Sequence, residues 1–234
     1  MRLYIMHRNS GFTLIELMVV LIIIGIFVAM SIPPFLSAVR KQEVRSISQN
    51  IADLINYTRN EASRRNQVAF VYPAYFRKNA KLNGQAQSWD NANGMVAFID
   101  HLGNPNNRIS QYDKTEEIRS VQIARPGSQS RPQTISLSAN TFTSVDQPTS
   151  DISEIGLVIY PSGQMKVSNN YTNISTGNSG YQARIIVSNR YDSSICHVLW
   201  VDNLARARSC PNNIASNNTP KSIKDICTCW RPKE

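Results

Sequence analysis

The chain is poor in the residues that most often carry chemistry. Its 234 residues include three histidines, and neither His101 nor His197 has a carboxylate at metal-ligand spacing. There is no glycine-rich phosphate loop and no pairing of a nucleophile with a base. No cysteine occurs before Cys196. Acids are scarce too: 16 Asp and Glu stand against 25 Lys and Arg, and the surplus is not gathered into one run. No internal repeat is present. These shortages argue against an enzyme, a resident metal or cofactor, and a small-molecule substrate. Trp89, Trp200 and Trp230 read as packing anchors rather than ligand platforms. With 41% hydrophobic residues, the bulk of the chain can still bury a core.

Charge is missing altogether from one long stretch. The 23 residues from Leu17 to Val39 carry none, which is enough for one helix to span a bilayer. A short basic leader with Arg2, His7 and Arg8 precedes it, so the N-terminus is expected to stay cytoplasmic with the remainder facing outward. Two plain readings compete. One is a cleaved secretory signal with Leu17–Val28 as its apolar core and Ala29–Met30–Ser31 as the cleavage site. The other is a generic membrane anchor. Neither needs Glu16 at the head of the run, where an acid costs about 2.5–3.5 kcal/mol if carried to mid-bilayer. On a helix Glu16 lies about 6 Å along the axis from Phe12, close to the membrane surface, where that cost falls.

The segment SGFTLIELMVV, Ser10 to Val20, resembles the processing signature of type IV prepilins. The resemblance rests on Gly11, the aromatic Phe12, and an acid four residues on, all at the start of an apolar helix. It extends to Pro33, followed here by Pro34. It implies that residues 1–11 are a leader, that a prepilin peptidase cuts between Gly11 and Phe12, and that Phe12 is then N-methylated. Either Met1 or Met6 serves as the start. It also implies that Phe12, Glu16 and Pro33 are assembly residues, with Glu16 pairing with the free amine on Phe12 of a neighbouring subunit.

Beyond the prolines, apolar positions recur at Val39, Val44, Ile47, Ile51, Leu54, Ile55, Thr58 and Ala62, mostly in steps of three or four. The opposite face shows Arg40, Lys41, Glu43, Arg45, Gln49, Asp53 and Arg59. One N-terminal helix is therefore expected over 12–66, membrane-spanning at about 14–36 and amphipathic thereafter. Pro33 and Pro34 are expected to break or bend it, and the second half to pack on a sheet. From 67 to 234 the pattern changes to short β-rich runs bounded by Asn, Gly, Pro and Ser. Strands are expected at Gln67–Tyr72, Gly94–Asp100, Glu117–Ile123, Thr134–Leu137, Gly156–Tyr160, Gln164–Val167, Ala183–Ser188, Cys196–Val201 and Leu204–Ser209. Pro161–Ser162–Gly163 reads as a hairpin turn, and Ala139–Glu154 and Asn169–Gly180 as polar loops. The fold class is α+β, a long helix on a β-sandwich-like head.

Within that family the details resemble the H-type minor pilins and pseudopilins, the FimU/FimT-like branch. Phe98–Ile99–Asp100 with Gly103–Asn104, Tyr160–Pro161–Ser162–Gly163, and the strand Val198–Leu199–Trp200–Val201 running to Arg208 carry the likeness. It implies a minor pilin of a bacterial type IV pilus that assembles through its N-terminal helix with other minor and major pilins to prime and cap the fibre. Such a chain starts as a single-pass inner-membrane protein with its head in the periplasm and ends at the pilus tip on the cell surface. Two alternatives accompany it: a DNA-binding minor pilin for natural transformation, and a type II secretion pseudopilin.

An exported head meets oxidising conditions, so Cys196, Cys210, Cys227 and Cys229 favour two disulfides. Cys196 and Cys210 flank a hairpin centred near Asn203, which would place them opposite one another. If they pair, Cys227 and Cys229 must close a strained small ring or bond outside the chain. The preferred solution staples the Cys-Thr-Cys tail to the two strands, with the individual pairing open. A four-cysteine zinc site is the rival, and it lacks the two-residue spacer. Arg206 and Arg208, two apart in an extended segment, point the same way and could meet one phosphate track. DNA-uptake members of the resembled branch carry Gly-Arg-x-Arg near the C-terminus; here Ala205 replaces the glycine. Arg190, Lys221, Lys224, Arg231 and Lys233 would widen the basic patch.

Overall fold

The computed structural model describes residues 12–76, 82–86, 92–99, 118–123, 135–144, 147–151, 156–168, 178–179, 182–192, 194–210, 227 and 229. Its one long helix, α1, runs from Leu14 to Arg65. Thr13 opens it: its hydroxyl accepts the Glu16 backbone N–H at 3.3 Å, satisfying a donor that the first turn would leave orphaned. Glu16 stands three residues on, in the capping-box position, with its charge beside the positive end of the helix dipole. At the other end Asn66 takes a left-handed φ of 54°. That reversal lets the Gln67 N–H reach back to the Ala62 carbonyl at 3.2 Å, a Schellman-type stop. The expected break at the prolines does not occur, because α1 continues through Pro33 and Pro34. Proline already holds the φ a helix needs, so the pair removes two donors without forbidding the backbone.

Two compact units divide the chain, Met1–Arg40 and Lys41–Glu234. In the first, the described large apolar side chains of α1 are exposed, among them Leu14, Leu21, Ile22, Phe27 and Phe35. Val39, expected in the buried stripe, belongs to this exposed set. Among the described residues no helix is long and apolar enough to cross a membrane. The side chains at 29 and 31–34, inside the expected span of about 14–36, lie outside the described residues.

The second unit holds the rest of α1 and twelve strands among the described residues. They are β1 (Ala69–Phe76), β2 (Leu82–Ala86), β3 (Gly94–Ile99), β4 (Ile118–Gln122), β5 (Ile135–Ser144), β6 (Gln147–Asp151), β7 (Gly156–Ile159), β8 (Met165–Ser168), β9 (Asn178–Ser179), β10 (Gln182–Asn189), β11 (Cys196–Val201) and β12 (Ala207–Ser209). One sheet has the order β4-β3-β1-β7-β8-β9, with β2 also on β1. The other has the order β12-β11-β10-β5-β6. Every pairing is antiparallel. The α+β expectation therefore stands. Three strands fall where none was expected: β2, β6 and β9. The stretch from Ala139, read as loop for its polar composition, continues β5 and turns into β6. Pairing decides it, since β5 is matched with β10 from Gln182↔Phe142 to Asn189↔Ile135.

One core joins the three layers of this unit. Val44, Ile47, Ile51, Leu54, Ile55 and Ala62 of α1 pack with Val71, Met95, Ala97, Leu157 and Ile159 of the first sheet and with Ile185, Val187, Leu199 and Val201 of the second. The amphipathic stripe thus buries against both sheets. Strands β1 and β3 are largely apolar on both faces, and both faces are covered; β10 is buried along most of its length too, although Arg184, Ser188 and Asn189 are among its buried side chains. Phe70, Tyr72, Phe76 and Phe98 form a second cluster on the far side of the first sheet. There Asn93, fully buried, works as a side-chain strand: its Oδ1 accepts the Phe76 N–H at 2.6 Å and its Nδ2 donates to the Phe76 carbonyl at 2.8 Å.

Candidate functional site

Of the two residues expected at the processing point, Phe12 stands at the first described turn of the chain. Phe12 is 87% exposed, just ahead of the Thr13 cap, and Gly11 lies outside the described residues. Glu16 therefore has a local duty, helix starting, beside the intermolecular one that the resemblance implies. Thr13 was not singled out from the sequence, although Thr-x-x-Glu ahead of an apolar run is a legible cap signal. Pro33 lies within α1, and its side chain is outside the described set.

The arginine pair sits on an edge strand. Arg206 and Arg208 are both exposed and flank the buried Ala207, so they share one side, as the two-residue spacing suggests. Asp202, 6% exposed, organises the turn that delivers them. Its Oδ1 accepts the N–H groups of Leu204 and Arg206, each at 3.0 Å, and its Oδ2 accepts Arg206 Nε at 2.6 Å. The Ala205 N–H closes the turn on the Asp202 carbonyl at 2.9 Å. Ala205 itself adopts a φ of 54°. The backbone that a glycine would favour is therefore kept by an alanine, whose methyl is fully buried in the core. Arg206 is thus engaged with a carboxylate. Arg208 stands across from Trp200 in the ladder, and Trp200 donates its indole N–H to Gln182 at 2.7 Å.

Asn56, on the helix, grips the same strand. Its amide exchanges hydrogen bonds with the Ala207 backbone, Nδ2 to the carbonyl at 3.1 Å and Oδ1 from the N–H at 3.0 Å. Further along, His197 meets Ser209 Oγ at 2.5 Å, and burial, with Arg45 nearby, holds its pKa below the usual histidine value. Sequence reading missed Asn56 and Asn93, because an amide in a hydrophobic neighbourhood reveals no partner until the fold brings one.

The structure pairs Cys196 with Cys229 and Cys210 with Cys227. The tail is stapled to the ends of β11 and β12, and no cysteine is left as a thiolate for a metal. Cys210 and Cys227 are buried with Ile186 and Val198, while Cys229 is exposed. The hairpin does not hold Cys196 and Cys210 directly opposite one another. Cys210 donates its N–H to Val198, two residues further along the strand.

Elsewhere, Tyr57, Glu61, Arg65 and Arg119 line an open recess of about 280 Å³ between α1 and the edge of the first sheet. Arg119 stacks over Tyr57 at 4.3 Å, and Arg64 and Arg65 together hold the Glu61 carboxyl down at about 2. Among the described residues no group of three or more His, Cys, Asp or Glu could hold a metal. His101, Trp89, Trp230, Asp100, Gly103, Asn104, Lys221, Lys224, Arg231 and Lys233 lie outside the described residues.

Residues 6–32 match the family described as a prokaryotic N-terminal methylation motif. The match covers the Gly11–Phe12 junction, Glu16 and the apolar run as far as Ile32. No curated protein sequence matches the chain. Two crystal structures of the type IV minor pilin FimU from Pseudomonas aeruginosa are similar to it. The P21 form shares 13% identity at a TM-score of 0.40, covering 78% of this chain and 96% of that one. The P65 form shares 12% at a TM-score of 0.38, covering 76% and 98%.

Proposed function

We propose that this chain is a minor pilin of a bacterial type IV pilus. The observation that carries the reading is the methylation motif at 6–32 placed on the start of a helix whose apolar side chains are exposed. Soluble proteins rarely leave so continuous an apolar surface uncovered. A bilayer covers it first and neighbouring pilin helices cover it after assembly. In this reading the inner-membrane peptidase cuts after Gly11, Phe12 is methylated, and Glu16 meets the Phe12 amine of the next subunit. The head, 67–234, faces the periplasm and then the fibre tip, where it primes and caps the assembly.

Mass spectrometry of the mature polypeptide tests the processing. The expected N-terminus is methylated Phe12; an uncut chain, or trimming near Ser31, rules the reading out. Two substitutions separate the duties of Glu16. Glu16→Gln keeps an N3 side chain able to complete the capping box but removes the charge. If the charge pairs with a neighbour's amine, Glu16→Gln loses piliation as fully as Glu16→Ala does. Retention of piliation by the Gln variant alone would assign Glu16 to helix capping and remove it from assembly.

A DNA-contact reading has one observation in its favour. Ala205 keeps the left-handed turn, and so the outward pair Arg206 and Arg208, without a glycine. With Arg206 held by Asp202, Arg208 would carry most of the phosphate contact. Arg208→Gln should then weaken a salt-dependent DNA retention more than Arg206→Gln does. Equal retention by both variants and wild type would end this reading.

A further inference from the structure

The two disulfides are nested in sequence: the first and last cysteines pair around the second and third. The inference below rests on the reading that the head is exported. A chain exported from its N-terminus presents Cys196 and Cys210 to the oxidising compartment before Cys227 and Cys229 arrive. Oxidation in order of arrival joins Cys196 to Cys210. The finished hairpin rejects that bond. Cys210 sits opposite Val198, so Cys196 and Cys210 are diagonal neighbours on one face, and such pairs lie about 7–8 Å apart. Beyond about 7 Å a disulfide needs the backbone to move. The native partners lie at Cα separations of 6.2 Å and 5.6 Å, inside the ordinary range. An early Cys196–Cys210 bond therefore opposes the β11–β12 register that the core fixes through Leu199 and Val201.

We infer that this head is a client of thiol–disulfide isomerisation, in which an early Cys196–Cys210 bond is exchanged for Cys210–Cys227 before Cys196–Cys229 closes. The partner it fits is an exchange catalyst that offers an accessible thiolate. That thiolate attacks Sγ of Cys210, and Cys196 leaves as a thiolate and takes up a proton. The Cys227 thiolate then attacks the mixed disulfide at Cys210 and expels the catalyst unchanged. These two steps are redox-neutral. Closing Cys196–Cys229 removes two electrons and two protons, which reduce one disulfide of a dithiol oxidase in the same compartment. Burial of Cys210 and Cys227 against Ile186 and Val198 then protects the inner bond from reversal.

The test translocates the chain during its synthesis into membrane vesicles that hold oxidised glutathione alone or a mixture of oxidised and reduced glutathione. Non-reduced peptide mapping by mass spectrometry reads the pairing. With oxidant alone the native set should make up no more than about a third of molecules, the share of three equally weighted pairings. Adding reduced glutathione should raise that share at least about twofold and convert the trapped isomer. An equal native yield in both conditions overturns the inference. The double variant Cys196→Ser/Cys229→Ser has no early partner for Cys210, so its Cys210–Cys227 bond should form equally in both conditions. Dependence on reduced glutathione there, or failure to form the bond, also overturns it. Alkylation of the four thiols in intact cells tests the premise separately. Four free thiols on the mature protein would overturn export of the head, whatever the translocation result.

Discussion

Asn56 and Ala207, far apart in sequence, exchange two hydrogen bonds, so that a side chain of α1 pairs with the outer edge of β12 as a neighbouring strand would. Edge strands are liable to pair with other chains, and here that edge is closed from inside the fold. The same contact ties the helix to the strand that displays Arg206 and Arg208.

Replacing Asn56 with Ala should therefore cost about 1–3 kcal/mol, because the Ala207 N–H and carbonyl lose their partners in a half-buried site. In a unit of this size each kcal/mol lowers the melting temperature by about 2–4 °C. Asn56→Gln should not restore the loss, since its longer side chain misplaces both atoms. Thermal melts of the three proteins decide it; an unchanged melting temperature for the Ala variant would show that water replaces the amide without cost.

The turn before β12 gives a second comparison. Asp202 accepts three hydrogen bonds, while Arg206 contributes one partly exposed guanidinium. Asp202→Ala should lose about 1.5–3 kcal/mol, the range for hydrogen bonds to a charged group. Arg206→Gln should lose no more than about 1 kcal/mol, as expected of a pair open to solvent. Denaturant unfolding of both variants measures the difference. Equal losses would mean that the ion pair, rather than the backbone N–H groups, holds the turn.

Among the described residues, two groups shape the response to acid. Burial holds the His197 pKa below its ordinary 6.5, with Arg45 adding to the effect. Below that pH the unfolded chain takes up a proton that the folded chain resists, so stability should fall as pH drops below 6.5. Glu61 acts lower down. Its hydrogen bonds to Arg64, then Arg65, hold its carboxyl at about 2 against an ordinary 4.5. Its contribution is present above 4.5 and lost as pH falls towards 2. Melting curves from pH 7.5 down to 2 should show both declines, and His197→Gln should flatten the upper one only. A wild-type curve level from pH 7 to 5 would contradict the assignment of His197.

The helix and most strands were legible because their signals are local: the apolar period of three to four ran from Val44 to Ala62, β1 and β3 are nearly continuous apolar runs, and β10 holds the short β-branched run Ile185–Val187. The polar second half of β5 and all of β6 were not, since pairing with β10 and with β5 makes them strands and composition does not. Proline content suggested a break or a bend at Pro33 and Pro34, and the break is absent because the lost donors are ones a long helix tolerates. The arginine pair was legible as a pair. Its attachment to Asp202 was not, because the left-handed Ala205 that sets it up is a residue that rarely takes that conformation. The cysteine count and order pointed to a stapled tail, but the pairing needed the register of β11 and β12.

Ser48 and Thr58 occupy the same buried face of α1 and differ in one respect. The Thr58 hydroxyl donates to the Leu54 carbonyl at 2.7 Å, whereas Ser48 Oγ, fully buried, has no hydrogen-bond partner among the described residues. A hydroxyl taken from water without a partner costs about 1–3 kcal/mol. Ser48→Ala removes that cost and gains about 0.5 kcal/mol of helix propensity. It should therefore stabilise the protein by about 1.5–3.5 kcal/mol. Thr58→Ala should do the reverse: it loses about 1 kcal/mol for the hydrogen bond and about 0.8 kcal/mol for the buried methyl, against about 0.6 kcal/mol of helix propensity gained, a net loss of about 1 kcal/mol. The two alanine variants of one helix face are thus expected to move the melting temperature in opposite directions. A drop for Ser48→Ala would mean that its hydroxyl is satisfied after all, by an ordered water or by a residue outside the described set.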